Sequence, residues 1–322
     1  MASTTSATPV AGRPIHRFRT VFSPPVERGR RRMRALAIAL LIGHLMALVF
    51  GLAGLLVAIP HPELWSDTSL GPKVFDFGIR YGGATHILFG AAAMFAYGVY
   101  AIGFRKTIIF FLCAVPISLG SELIGTSTGE PFGNYAYTNF LGYKVLGHVP
   151  YSIPLSWFYV GFATALIGYE IARRLPFDPH WLTAVTTGAA LLVVWDLVLD
   201  PAMAHDSLTV KFWEWGQTGP YFGMPLQNFA GWGLTAFLFM AVARLLWRRD
   251  PADGGPIRDV WFPVAVYYAN IVFAAVISID VGLWLPIGFA VVMGVLPAMA
   301  ALTRWGLSPD DAAPSEAAKV LA

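Results

Sequence analysis

Asp196 and Asp200 lie at helical i, i+4 spacing in the run W-D-L-V-L-D-P-A-M, within a segment that is otherwise apolar. Residues at that spacing share one helix face, so the two carboxyls are neighbours. Ionised groups are expensive in hydrocarbon, which makes such acids functional candidates by default. Glu122 closes a second apolar run, just before the polar stretch G-T-S-T-G-E-P-F-G-N-Y-A-Y-T, Gly125 to Thr138. His86 stands near the start of a third apolar run. A carboxylic acid kept protonated by apolar surroundings can act as a general acid beside an ionised neighbour. The expected catalytic set is therefore Asp196, Glu122, Asp200 and His86.

Each of these has a plainer alternative. Asp200 precedes Pro201, and a residue before proline is pushed out of helical geometry, so it suits a helix-ending bend. Asp196 can be a hydrogen-bonded structural acid, Glu122 a cap or a partner for a histidine, and His86 a core histidine. His44 is more isolated still. Glu170, with Arg173 and Arg174 three and four residues on, reads as a surface ion pair. Asp280 reads as an N-cap.

The second polar stretch continues from Asp200-Pro201-Ala202-Met203 through W-E-W-G-Q-T-G-P-Y-F-G-M-P-L-Q-N to Asn228. With the first it supplies Asn134, Tyr135, Tyr137, Trp213, Trp215, Tyr221, Phe222 and Asn228. Trp195 sits beside the acid at 196. Aromatic residues at helix ends commonly form an interfacial belt. Here they are packed with Gly and Pro into two compact stretches, which favours a lid. Ring faces attract positive charge, so such a lid can stabilise a cation. The expected substrate-binding set is Tyr135, Tyr137, Asn134, Trp195, Trp213, Trp215, Tyr221 and Asn228.

The elements that position these groups are apolar helices. The chain is 56% hydrophobic and 13% charged, and runs of about 20 apolar residues read as transmembrane helices. Eight are expected, at 35–58, 82–104, 107–124, 151–173, 181–201, 226–247, 259–279 and 282–303. The fold class is thus all-α, a polytopic transmembrane bundle. A soluble helical core would carry charged faces, and these runs do not. With the N-terminus cytoplasmic, 18 of the 22 Lys and Arg fall inside, leaving Lys73, Arg80, Lys144 and Lys211 outside. That asymmetry predicts both termini cytoplasmic in a multi-pass cell membrane protein, a bacterial inner membrane being the natural setting. Both polar stretches then share the extracytoplasmic side, where His86, Glu122, Asp196, Asp200 and Asn228 can converge. Residues 1–34 read as a disordered basic tail, 35–303 as one transmembrane catalytic domain and 304–322 as a short C-terminal tail.

Other chemistries lack their residues. One cysteine, Cys113, allows no internal disulfide and no Cys-based zinc or iron–sulfur site. Metal-ligand spacings such as H-E-x-x-H and phosphate loops such as G-x-x-x-x-G-K are missing. No nucleic-acid module is present, and the arginines read as membrane anchors. Neither a metal nor a cofactor is called for. Proton-initiated chemistry on an alkene fits what remains. An acid protonates a terminal double bond, and aromatic faces and a carboxylate stabilise the tertiary cation. Water then adds, or a proton or a neighbouring double bond ends the reaction.

The blocks E-L-I-G-T-S-T-G-E-P-F-G-N-Y-A-Y-T from Glu122, P-L-S-W from Pro154, W-D-L-V-L-D-P-A-M from Trp195, and W-E-W through Y-F-G-M-P-L-Q-N-F-A-G-W to Trp232 resemble the membrane-integral carotenoid hydratase family. These carotenoid biosynthesis proteins include gamma-carotene and bisanhydrobacterioruberin hydratases. The resemblance covers roughly 80–300. It implies addition of water across the C1–C2 double bond of an acyclic end group. Its partners would be an acyclic or monocyclic carotenoid, water, the bilayer and other enzymes of the same pathway. The acids chosen above rest on position and chemistry and not on the resemblance. Rival readings are a membrane carotenoid cyclase or isomerase using the same protonation, and a non-enzymatic carotenoid- or lipid-binding protein. A transporter is disfavoured, since only His44 and Asn270 continue the polar groups inward.

Overall fold

The computed structural model describes residues 25–176, 180–247 and 255–303. The expected tail segments 1–24 and 304–322 lie outside the described residues. Helix α1 runs Pro25–Ala53 and continues through a π-helical turn, Gly54–Ala58. It begins well before the expected boundary at 35, so 25–34 is helical. Then follow α2 (Gly71–Ala101), α3 (Phe104–Thr128), β1 (Tyr135–Tyr137), β2 (Lys144–Val145), β3 (Val149–Pro150), α4 (Ser152–Ala172), α5 (His180–Ala204), β4 (Trp213–Trp215), α6 (Leu226–Trp247) and α7 (Trp261–Asp280). Among the described residues, seven helices are long and apolar enough to cross a membrane. The eighth expected span is shorter. It is α8 (Trp284–Phe289), a π-helical stretch (Ala290–Val295) and α9 (Leu296–Ala300). At about 1.5 Å per residue it is slightly shorter than the roughly 30 Å hydrocarbon core, yet Arg174 bonds the carbonyls of Ala300, Ala301 and Thr303, so it runs back to the end of the bundle that holds Arg174.

Helix α4 is the hub, with Trp157, Phe158, Tyr159, Val160, Phe162, Leu166 and Ile167 fully buried. Its neighbours present Leu45, Met46, Val49, Leu112, Leu234, Leu245 and Val272 outward, the apolar surface a bilayer would cover. Lipid tails are as apolar as leucine, so helices in a bilayer associate through close packing and polar contacts. Gly168 and Gly188 show this where α4 meets α5. A Cβ on Gly168 would stand 2.7 Å from the Gly188 nitrogen, so the backbones approach only because both side chains are missing.

The two ends of the bundle differ. At one end Arg34 pairs with Asp259 at 2.6 Å, and Tyr100 donates to the same carboxylate. Glu170 belongs to this end. It is buried, not at the surface as expected, between Arg173 at 2.8 Å and Arg174 at 3.3 Å, and also accepts from the Ile257 amide. At the other end the two polar stretches meet. Strands β1 and β4 pair antiparallel in the register Tyr135↔Trp215, Ala136↔Glu214 and Tyr137↔Trp213. A hairpin of β2 and β3 flanks them, and Lys144 donates to the Tyr137 carbonyl at 2.6 Å. The stretches expected to share one side thus form a single lid.

Three local expectations need correction. Asp200 does not leave the helix, because α5 continues through Pro201 to Ala204. Proline removes the donor to the carbonyl four residues back, and the Tyr221 hydroxyl bonds that Leu197 carbonyl instead at 2.9 Å. Helix α2 starts at Gly71, with Pro72 in its first turn, so His86 sits well inside it and not at its outer end. Asp280 closes α7 and caps nothing; Leu283 is the N-cap of α8.

The lid register gives a direct test. Residues directly opposite in an antiparallel pair have Cα atoms within disulfide range. In a Cys113→Ser background, Ala136→Cys with Glu214→Cys should cross-link on mild oxidation, whereas Ala136→Cys with Ser207→Cys should not. The readout is gel mobility after proteolysis between the two sites.

Candidate active site

A cavity of about 50 Å³ lies under the lid. Helix α3 contributes Glu122, α4 Ser156 and Trp157, α5 Asp196, Leu199 and Asp200, and α6 Asn228 and Trp232. The lid adds Phe132, Tyr135, Tyr137, Trp213 and Trp215. All three acids are nearly inaccessible, Glu122 at 3% exposure and Asp196 and Asp200 at 1% each.

The acids are partnered very differently. Glu122 Oε1 accepts from Trp157 Nε1 at 2.8 Å. Its Oε2 accepts from Tyr137 at 2.8 Å and also from the Tyr135 hydroxyl. Asp200 Oδ1 accepts from Trp213 Nε1 at 2.7 Å and Trp215 Nε1 at 3.3 Å, and its Oδ2 from Asn228 Nδ2 at 2.9 Å. Asp196 Oδ2 accepts from the same Asn228 amide at 2.8 Å. Asp196 Oδ1 has no hydrogen-bond partner among the described residues. Two acids therefore hold three donors each, and the third keeps one oxygen uncommitted inside the cavity wall.

The donors come from the lid's own geometry. Side chains alternate along a strand, so Tyr135 and Tyr137 share one face of β1, and Trp213 and Trp215 one face of β4. The β1–β4 pairing turns both faces onto the acids. Burial, reinforced by the charge of Glu122, holds the Tyr135 and Tyr137 hydroxyls well above the usual tyrosine range. They therefore remain donors to the carboxylate. Phe132 wedges between two helices at glycines. A Cβ would come within 2.6 Å of its ring at Gly125 and 2.7 Å at Gly231.

A second, larger cavity adjoins the first. It measures about 430 Å³ and is mostly apolar, walled by the end of α1, the first half of α2, and residues from α4, α5, α7 and the lid. Its mouth is bordered by Phe50, Val57, Leu64 and Val74, which are exposed on the outer surface. Trp65 roofs this mouth, stacked on Phe75 at 4.1 Å and bonded to the Ala58 carbonyl at 2.7 Å. Two polar side chains of its wall, Asn270 and Tyr159, are bonded to each other and to the buried His44 behind them. His44 Nδ1 donates to the His86 carbonyl at 2.7 Å, Asn270 Nδ2 lies 3.2 Å from His44 Nε2, and Tyr159 donates to Asn270 Oδ1 at 2.6 Å. With Asn270 Nδ2 as donor, His44 is the neutral Nδ1–H tautomer. The only polar groups once expected to continue inward thus close on one another.

Of the expected residues, Glu122, Asp196, Asp200, Asn228, Tyr135, Tyr137, Trp213 and Trp215 converge on the small cavity. His86 does not; its ring lines the large cavity and lies against Phe273 at 5.6 Å. Trp195 also faces the large cavity. Asn134 is exposed on the lid, and Tyr221 serves the Leu197 carbonyl. Sequence reasoning missed Phe132, Ser156, Trp157 and Trp232 as site residues. The Trp157 and Trp232 rings stack at 3.9 Å. Both stood in the quoted motif blocks, but nothing in their spacing joins Trp157 to an acid on another helix.

The fold and site define a multi-pass membrane protein with carboxyls gathered under an aromatic lid, beside a larger and mostly apolar cavity. The chain belongs to the carotenoid biosynthesis protein family, which it matches over residues 82–297. It is also similar to the bisanhydrobacterioruberin hydratase of Haloarcula japonica, 28% identical over 258 residues, covering 77% of this chain and 80% of that one. No solved structure matches it.

The donor arrangement generates a stability prediction. Tyr137→Phe removes one charge-assisted donor from Glu122, a change worth about 1.5–3 kcal/mol. The variant should unfold at a lower temperature in detergent than the wild type. Tyr143→Phe, at an exposed position of the same loop region, should not.

Proposed function

We propose that this protein is a carotenoid hydratase, adding water across the terminal C1–C2 double bond of an acyclic end group. The observation that carries the reading is the uncommitted Asp196 Oδ1, set beside two fully bonded acids where the small and large cavities adjoin. The polyene lies in the large apolar cavity, having entered from the bilayer. Its end group reaches the acids.

Asp196 is the proton donor. Two carboxyls on one amide, out of water, cannot both hold a charge cheaply. Asp200, with two indole donors, suits the ionised partner, because an ionised carboxylate only accepts. The Asp196 proton goes to C2, and a tertiary cation forms at C1. Glu122 bears the compensating charge, and the rings of Trp157, Trp213 and Trp232 present electron-rich faces. A water molecule held by Asn228 and Ser156 gives its oxygen to C1, and its surplus proton returns to Asp196. The sum is alkene plus water giving a tertiary alcohol, with the acid regenerated. These polar side chains favour water capture over ring closure, the step that would make the protein a cyclase. The lid faces the extracytoplasmic side, as the distribution of Lys and Arg indicates, and both termini are cytoplasmic. His86 shapes the large cavity and does not transfer the proton.

Expressed in a carotenoid-producing host, the protein should yield a product heavier by one water on an acyclic end. No such mass gain on lycopene or gamma-carotene would sink the assignment. General acids contribute about 10²–10⁴ in rate. Asp196→Asn should therefore lose at least about 100-fold, and Glu122→Gln should also abolish product, both with normal membrane levels; wild-type turnover would mark these acids as structural. A reporter fused after Asn139 should score extracytoplasmic, and a cytoplasmic score would overturn the orientation.

A further inference from the structure

Four side chains border both cavities: Ile153 and Ser156 of α4, Leu199 of α5 and Trp213 of the lid. We infer that they form a threshold that admits an open-chain end group to the acids and holds a ring end group back in the larger cavity. The inference rests on the hydratase reading for its substrate class, and its test does not depend on turnover.

Two members of the threshold are tethered. Trp213 is tied to Asp200 at 2.7 Å and carried on a paired strand. The Ser156 hydroxyl is turned back onto the Ile153 carbonyl at 2.8 Å, within the most enclosed helix. Leu199 stands between the two aspartates on α5, whose neighbouring carbonyl at 197 is held by Tyr221. Beyond these residues lie about 50 Å³, against about 430 Å³ before them. One water needs about 10–15 Å³ of such volume. The small cavity thus has room for one water and the flat tip of a polyene. A conjugated chain ending in a planar isopropylidene group is no thicker at its tip than along its length. A six-membered ring carrying paired methyl groups is thicker on both faces. Packed interiors resist even one added methylene, so the ring stays in the large cavity.

Selectivity is therefore set before any bond changes, and it appears in binding. Purified protein in nanodiscs is offered equimolar lycopene, with two open ends, and β-carotene, with two rings, and the retained pigment is extracted and quantified. The wild type should retain lycopene over β-carotene by at least tenfold. Leu199→Ala combined with Ile153→Ala opens the threshold, and Leu199→Trp closes it. Both should bring the ratio toward one while most of the pigment is still retained, since each change alters only the edge of the large cavity where it meets the small one. A wild-type ratio near one, an unchanged ratio in both variants, or loss of all pigment with the ratio would each overturn the threshold. Hydration is scored separately on the same samples. Wild-type selectivity with no alcohol formed would sink the hydratase reading and leave the threshold standing.

Discussion

Three carboxyl groups buried at one end of an apolar bundle set the terms for everything around them. Each acid out of water needs donors, and a bilayer supplies none. The structure brings two indoles, two phenols and a further indole from α4, together with one amide that serves two acids. The lid strands, the stacked pair Trp157–Trp232 and the position of α6 all follow from delivering those donors. The lid is accordingly part of the electrostatic balance of the core, in addition to covering it.

The three acids are partnered unequally. Glu122 and Asp200 are each held by three donors and are suited to remain ionised. Asp196 shares its one donor and keeps an oxygen uncommitted. In the proposed reaction, residues of the same type take different roles because their neighbours differ, the general way one site supports both acid and counter-charge. The adjoining apolar cavity gives the arrangement direction, with hydrocarbon on one side and a small polar space on the other. Asn270 and Tyr159, on the wall of that cavity, bond one another and the buried His44 behind them.

Much of this was legible in the residues. The apolar runs gave the helices, and the two polar stretches gave the lid, including their placement at one end. Asp196, Asp200, Glu122 and Asn228 were legible because a polar group in hydrocarbon is conspicuous. Less legible were features that depend on what a side chain meets. Proline at 201 pointed to a break after Asp200, yet Tyr221 supplies the missing donor and the helix continues. His86 read as an end residue because α2 was expected to start at 82, whereas the helix begins at Gly71 and carries the histidine inward.

The sequence alone determined that this chain builds a membrane-spanning helical bundle with acids and aromatic loops at one end. That much follows from local composition, since length, apolarity and helical spacing are properties of contiguous segments. Only the tertiary structure decided which acid is left with a free oxygen, that Trp157 reaches Glu122 from another helix, and that a large apolar cavity adjoins a small polar one. Those facts depend on donors and walls drawn from seven helices and the loops between them. Their distances are fixed by packing between segments far apart in the chain, and no local pattern encodes them.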